Sequence, residues 1–385
     1  TTGTNNVALG VQASALNTTG ANNTALGRVC LYDNTTGQQN TAVGSGVLAN
    51  NTTASNNTGV GFEALTQNTT GTVNVAIGNH ALDANTTANF NVAVGGYALG
   101  ANTTGAQNIA IGAYAADALV TGDDNISIGY NSLSASTGTS DCNVIGSNCG
   151  RVISSGERNN GHGKDAFYYL TTGTRNCAFG HSALQNTTTT NDNTAFGNEA
   201  LKLNTASNNT ALGSYALWTN TTGADNTAVG NNALDANTTA SYNTAVGSGA
   251  GGKITTGIQN VFVGRSANKE GTTCNDCVAI GDRAGDGNTG NQNTFVGGRA
   301  GSSGGNGGGT MNVGIGFWAL YGAGTSTANY NVAIGAYCLE SNTGGSNNVA
   351  IGYEALEENT TGNNNTTVGH RSSDAITTGT YNTAI

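Results

Sequence analysis

The 385 residues include 60 glycines and no proline, and only 9% are charged, against about 25% in an average globular protein. The net charge of -10 and the 12 scattered Lys and Arg argue against a nucleic-acid partner, since phosphate binding needs clustered basic side chains. No apolar run approaches about 18 residues, so no membrane insertion is expected from this segment.

From Thr1 onward one phrase recurs. A Gly closing "AVG", "AIG" or "ALG" stands at Gly10, Gly27, Gly44, Gly61, Gly78 and Gly95, and so on to Gly369. Nearly every step is 17 residues, with two of 16 and two of 19, which gives 22 complete marks. Such a period marks a stacked repeat. Residues 1–385 are therefore expected to form one continuous array. Because the chain opens and stops in mid-phrase, it reads as a piece of a longer protein.

Each coil begins with Asn four residues before the marker Gly, except at Cys142 and Cys277. Thr, Val or Ile mostly follows, then Ala or another small residue, then Val, Ile, Leu or Phe. A short β-branched run bounded by Asn and Gly predicts a strand. After the Gly come two variable residues, then Ala-Leu as in Ala64-Leu65, then Asn-Thr-Thr-Gly as in Asn68 to Gly71. No 3.6-residue pattern persists, so helices are excluded. The predicted fold is all-β, a parallel β-solenoid or β-roll of about 22 coils. At about 4.8 Å per coil it would extend about 100 Å.

Stacking predicts structural roles. Asn40, Asn57, Asn74, Asn91, Asn108 and Asn226 should form a coil-to-coil amide ladder. Gly44, Gly61, Gly78 and Gly95 should form a corner that a Cβ would crowd. The turn phrase contains Asn-Thr-Thr sequons at Asn17, Asn34, Asn68 and Asn102. They are read as turn chemistry, with the turn Gly at positive φ, rather than as glycosylation sites. Where Leu is missing four residues after the marker, an apolar residue often appears three places on: Ala116 with Leu119, Gly150 with Ile153, Gly251 with Ile254, Ser373 with Ile376. The coil needs one large apolar group on that side. The strand's Ala positions, Ala42, Ala76, Ala93 and Ala228, are almost never charged. They are expected to be buried between identical chains, three side by side.

Chemistry-bearing residues are sparse along the array. His80, His162, His181 and His370 fall in different coils, and no nucleophile–base–acid set is visible. No catalytic residue and no cofactor is therefore expected, and the chain is not read as an enzyme. His162 stands in an apolar column, where three copies in a trimer could bind a metal; a local irregularity is the simpler reading. Cys30, Cys149 and Cys338 take small-residue positions. Cys274-Asn-Asp-Cys277 lacks the second pair that zinc requires, although a local disulfide is open to it. Asp282, Asp286 and Asn288 lack the spacing of a known calcium loop. Residues 301–309, "GSSGGNGGG", read as a Gly-rich inter-coil loop, without the Lys of a phosphate-binding loop.

The phrase "NTAVGxxALxxNTTGxxN", as at Asn226 to Asn243, resembles the repeat shafts of phage tail-fibre-like proteins, in which such arrays often precede an intramolecular chaperone domain. "NVAIG" at Asn74 to Gly78 also resembles the head repeats of trimeric autotransporter adhesins, which form trimeric parallel β-rolls. The resemblance implies a homotrimeric fibre shaft outside the cell, on a virion or a cell-surface appendage. It would serve attachment, with a cell-surface receptor or glycan as partner. The alternative is a secreted solenoid that binds polysaccharide or ice on its ranks of Thr.

Overall fold

The computed structural model describes residues 2–302, 307–322 and 327–385. The chain groups into two compact units, Thr1–Asp192 and Asn193–Ile385. Each unit is a parallel β-solenoid built from the same coil, and the described residues contain no helix.

Regular strand occupies only three residues per coil. In the first unit Val75–Ile77 pairs in register with Thr58–Val60 and with Val92–Val94. In the second, Thr227–Val229 lies between Thr210–Leu212 and Thr244–Val246. Register survives the irregular steps: Thr194 pairs with Thr210 across a 16-residue step, and Val313 with Val332 across 19. Of the predicted loop 301–309, residues 303–306 lie outside the described residues. Ser302 is buried, and Gly307 forms a parallel bridge with Asn288.

Coil-to-coil bonding continues beyond the strand. His80 donates its backbone N–H to Phe62, Leu65 to Ala81, Gln67 to Asp83 and Thr69 to Thr86, at 2.9–3.0 Å. A 17-residue loop can do this only by turning sharply several times. The marker glycines supply one turn: Gly78 has φ 144°, and a Cβ there would lie 2.4 Å from the carbonyl oxygen of Gly95. The other turns differ from expectation. Gly71, in the turn phrase, is not at positive φ. Ordinary residues carry the left-handed conformation instead, at His80 (φ 54°), Leu82 (φ 51°) and Phe90 (φ 61°) in one span. This conformation costs an L-residue about 1–2 kcal/mol. The inter-coil bonds and burial on either side hold it in place.

The core also differs from expectation. Ala42, Ala76, Ala93 and Ala228 are fully buried, but within their own coils and not between chains. They face the Ala-Leu step, where Ala64, Leu65, Ala81 and Leu82 are fully buried too. The Thr and Val columns flanking each strand Ala point outward, because side chains alternate along a strand. Larger core residues are matched by glycines: a Cβ on Gly251 would lie 2.8 Å from Phe262, and one on Gly301 2.3 Å from Phe295. Leu119, Ile153 and Ile254 are buried where Leu is absent from its usual place. A Cβ on Gly150 would lie 2.9 Å from Cδ1 of Ile153.

Two amide ladders line this narrow core. Asn91 donates its backbone N–H to Oδ1 of Asn74 at 2.9 Å. Its Nδ2 donates to the carbonyl of Gly105 at 2.9 Å, and its Oδ1 accepts from the N–H of Asn108 at 2.9 Å. Asn40, Asn57 and Asn226 repeat the pattern. Cys142 and Cys277 keep the donor half, with thiols hydrogen-bonded to Gly156 and Gly290 at 3.3 and 3.2 Å. The second ladder joins turn asparagines side chain to side chain, from Asn17 through Asn34, Asn51, Asn68 and Asn85 to Asn102. Asn34, Asn68 and Asn102 are fully buried, so these sequons are closed to modification in the folded chain. The ladder stops at Asn102, Asn237 and Asn359, whose Oδ1 atoms are buried without a partner. At each point the next rung is apolar: Leu119, Ile254 or Ile376.

Candidate binding faces

Two surfaces stand out once the core is set aside. The first is the outward side of the strands. Its columns hold Thr, Val and Ile, as at Val75, Ile77, Ile109 and Ile111, with no Asp, Glu, Lys or Arg in either unit. Ile77 is 41% and Ile111 39% exposed. A sheet face meeting water is normally polar.

The second surface follows the marker Gly, at the two positions that vary most. In the first unit Phe62, His80, Tyr97, Tyr114 and Tyr130 form one file, with ring centroids 5.1–6.3 Å apart. Tyr97 and Tyr114 are nearly parallel, at 2°. His80 Nδ1 bonds to Asp83 at 3.1 Å and lies 3.6 Å from Glu63. Burial pushes the Asp83 carboxyl up, against the lowering effect of His80. In the second unit Phe317, Trp318, Tyr337, Tyr353 and His370 form a corresponding file, with Arg299 5.6 Å above the Trp318 ring. Within these files the rings stack on one another and stay part-exposed, Tyr97 at 39% and Tyr114 at 40%. The files were missed in the sequence because the positions after the Gly look unconstrained in composition. The signal was present as aromatics recurring one or two residues after the marker.

The same face carries a polar notch in the second unit. Gly249 and Gly252 present no side chain of their own between Asn232 and Asp235 on one side and Ser266 and Lys269 on the other, and the aliphatic stem of Lys269 passes 3.6–3.9 Å from where their Cβ atoms would be. Ser248 and Lys253 complete an opening of about 270 Å³. Burial raises the Asp235 carboxyl above its ordinary range, while Lys269 draws it down. Lys253 is bound to Glu270, and Arg265 to Asp282 at 2.8 Å. Tyr215 and Trp218 occupy the rung before Asn232 and Asp235, ring planes at 89°.

The residues singled out from sequence are not gathered at one place. His162 lies half-buried on the outward strand face, stacked on Phe179 with centroids 4.3 Å apart. Among the described residues no group of three His, Cys, Asp or Glu could hold a metal ion. Cys274 and Cys277 are both buried and free; the hydrogen bond between them, with burial, pushes the Cys274 thiol well up, and the same bond draws Cys277 down. Asn268 donates to the Cys274 sulfur at 2.9 Å. Neither a protein-family model nor a curated protein matches this chain.

Proposed function

We propose that this chain is a structural, rod-forming shaft segment that serves attachment outside the cell, on a virion or cell surface, and not an enzyme. The observation that carries the proposal is the uncharged outward strand face, present in both units. A monomer in water has no reason to keep charge off a sheet face throughout its repeats, whereas a self-association surface does. The copies would lie side by side on their Thr, Val and Ile columns, with the strand Ala columns kept for each chain's own core. Three copies is the number that the resemblance implies. A receptor or glycan at the target surface would be the attachment partner. Light scattering tests the assembly: a mass of three chains is expected, and a folded monomer at micromolar concentration would overturn it.

Ice binding finds less support. The turn hydroxyls of Thr69, Thr86 and Thr103 donate to carbonyls of the following coil at 3.0–3.2 Å, so they are not free to match a lattice.

A further inference from the structure

We infer that the notch around Gly249 and Gly252, with the Tyr215–Trp218 rung beside it, is a binding site for a neutral oligosaccharide. The register of the coils places the parts. The backbone bonds Thr219 N–H to Asp235 O, Ala236 N–H to Gly252 O and Lys253 N–H to Lys269 O make Trp218, Asp235, Gly252 and Lys269 successive rungs of one column. Tyr215, Asn232, Gly249 and Ser266 are successive rungs of the adjacent one, by the matching bonds from Tyr215, Asn232, Gly249 and Ser266. Rungs about 4.8 Å apart put the glycine rung roughly 10 Å from the aromatic rung. That span suits two or three sugar units laid along the stack.

The chemistry of the lining selects the ligand class. A pyranose has an apolar C–H face, which stacks on an aromatic ring, and a rim of hydroxyls, which needs both donors and acceptors. Trp218 and Tyr215 are more than one-third exposed. They offer ring surface next to a rung that carries Asn and Asp and no aromatic. The notch then offers a carboxylate acceptor at Asp235, an ammonium donor at Lys269, an amide at Asn232 and hydroxyls at Ser248 and Ser266. A few convergent polar groups beside an aromatic surface are what small-ligand sites require. Lys253 and Arg265 are already paired with acids. The remaining Asp235 and Lys269 leave the notch without net charge, which favours a neutral ligand over an anionic one. Gly252 is not at positive φ, but a Cβ there would lie 3.3 Å from Oδ1 of Asp235 and from the carbonyl of Gly249, so a larger side chain would enter the space that Asp235 and Lys269 line. Elsewhere its column holds Tyr168, Lys202 and Trp218.

Titrations of the whole chain with hexasaccharides of α-1,4-glucose, β-1,4-glucose and β-1,4-N-acetylglucosamine, followed by tryptophan fluorescence and calorimetry, test the site. At least one is expected to bind. Gly252→Tyr, which fills the rung, and Trp218→Leu should each weaken binding about tenfold or more, with the melting temperature held. Trp318→Phe should leave it unchanged. Failure of all three sugars at millimolar concentration overturns the assignment, as does binding that survives both Gly252→Tyr and Trp218→Leu. Binding of hexagalacturonate alone would overturn the neutral class. None of these outcomes depends on the number of chains in the assembly.

Discussion

A buried amide in this protein is a three-way connector, and that fixes what its loss should cost. Replacing Asn91 by Leu removes the acceptor for the N–H of Asn108 and the donor to the carbonyl of Gly105. Both groups are left buried, at about 1–3 kcal/mol each. Asn50, whose amide bonds Gln67 at the exposed surface, should lose little on the same change. Thermal or urea unfolding of the two variants gives the comparison, and equal losses would mean that the ladder carries no stability. The thiols make a second test. Burial holds Cys149 and Cys338 up at about 12, against an ordinary 9.0. The folded chain keeps these protons while the unfolded chain releases them above pH 9. Their contribution is therefore intact below pH 9 and is lost as pH rises toward 12. Each thiol contributes a slope of up to about 1.4 kcal/mol per pH unit in that window. The Cys149→Ala, Cys338→Ala double variant should show a shallower alkaline loss of stability than the parent.

At the scale of the coil, the asparagine column and the apolar column exchange material. Where Leu119, Ile254 or Ile376 enters the asparagine column, the core keeps its volume and the preceding amide oxygen loses its donor. A coil restored to the common pattern should recover that bond. The Ala116→Leu, Leu119→Asn variant places a leucine side chain between Leu99 and Leu133 and offers Asn102 Oδ1 a donor. Ala116 already has the φ of the Leu column, 49° against 50° at Leu99. The hydroxyl of Ser136 on the next rung can donate to the new amide. Stabilisation of about 1–3 kcal/mol is expected, read as a rise in the unfolding midpoint. A large fall would show that Leu119 packs in a way that the Ala116→Leu side chain cannot reproduce. The period, the strand, the amide ladder and this exchange were legible in the sequence because each places a distinctive residue at a fixed offset. The left-handed corners were not legible. They fall on His80, Leu82 and Phe90, whose identities give no sign of positive φ. Nor was the notch legible, since Gly249 and Gly252 are only two more glycines in a Gly-rich chain.

At the scale of the molecule, the question is which strand face is free to meet another chain, and the Ala face expected from the sequence is not, because it is buried within its own coils. Absence of charge marks both faces. Only the structure tells a face that closes on its own core from one that stays outward. Ala76 and Ala93 have no exposed surface in a single chain, so Ala76→Glu would put a carboxylate into the coil interior. Removing that charge from water costs several kcal/mol, and the variant should lose its fold, not merely its partners. Ile77 and Ile111 are two-fifths exposed, and lysines there can reach water in a lone chain. In an assembly packed on this face, the same lysines would confront apolar partners and one another. The Ile77→Lys, Ile111→Lys variant is therefore expected to be a well-folded monomer, with β-type circular dichroism like that of the parent and about one-third of its mass by light scattering. If it stays fully assembled, the chains do not meet on this face. If the parent itself is a monomer, the uncharged columns serve some other contact and the side-by-side trimer is wrong.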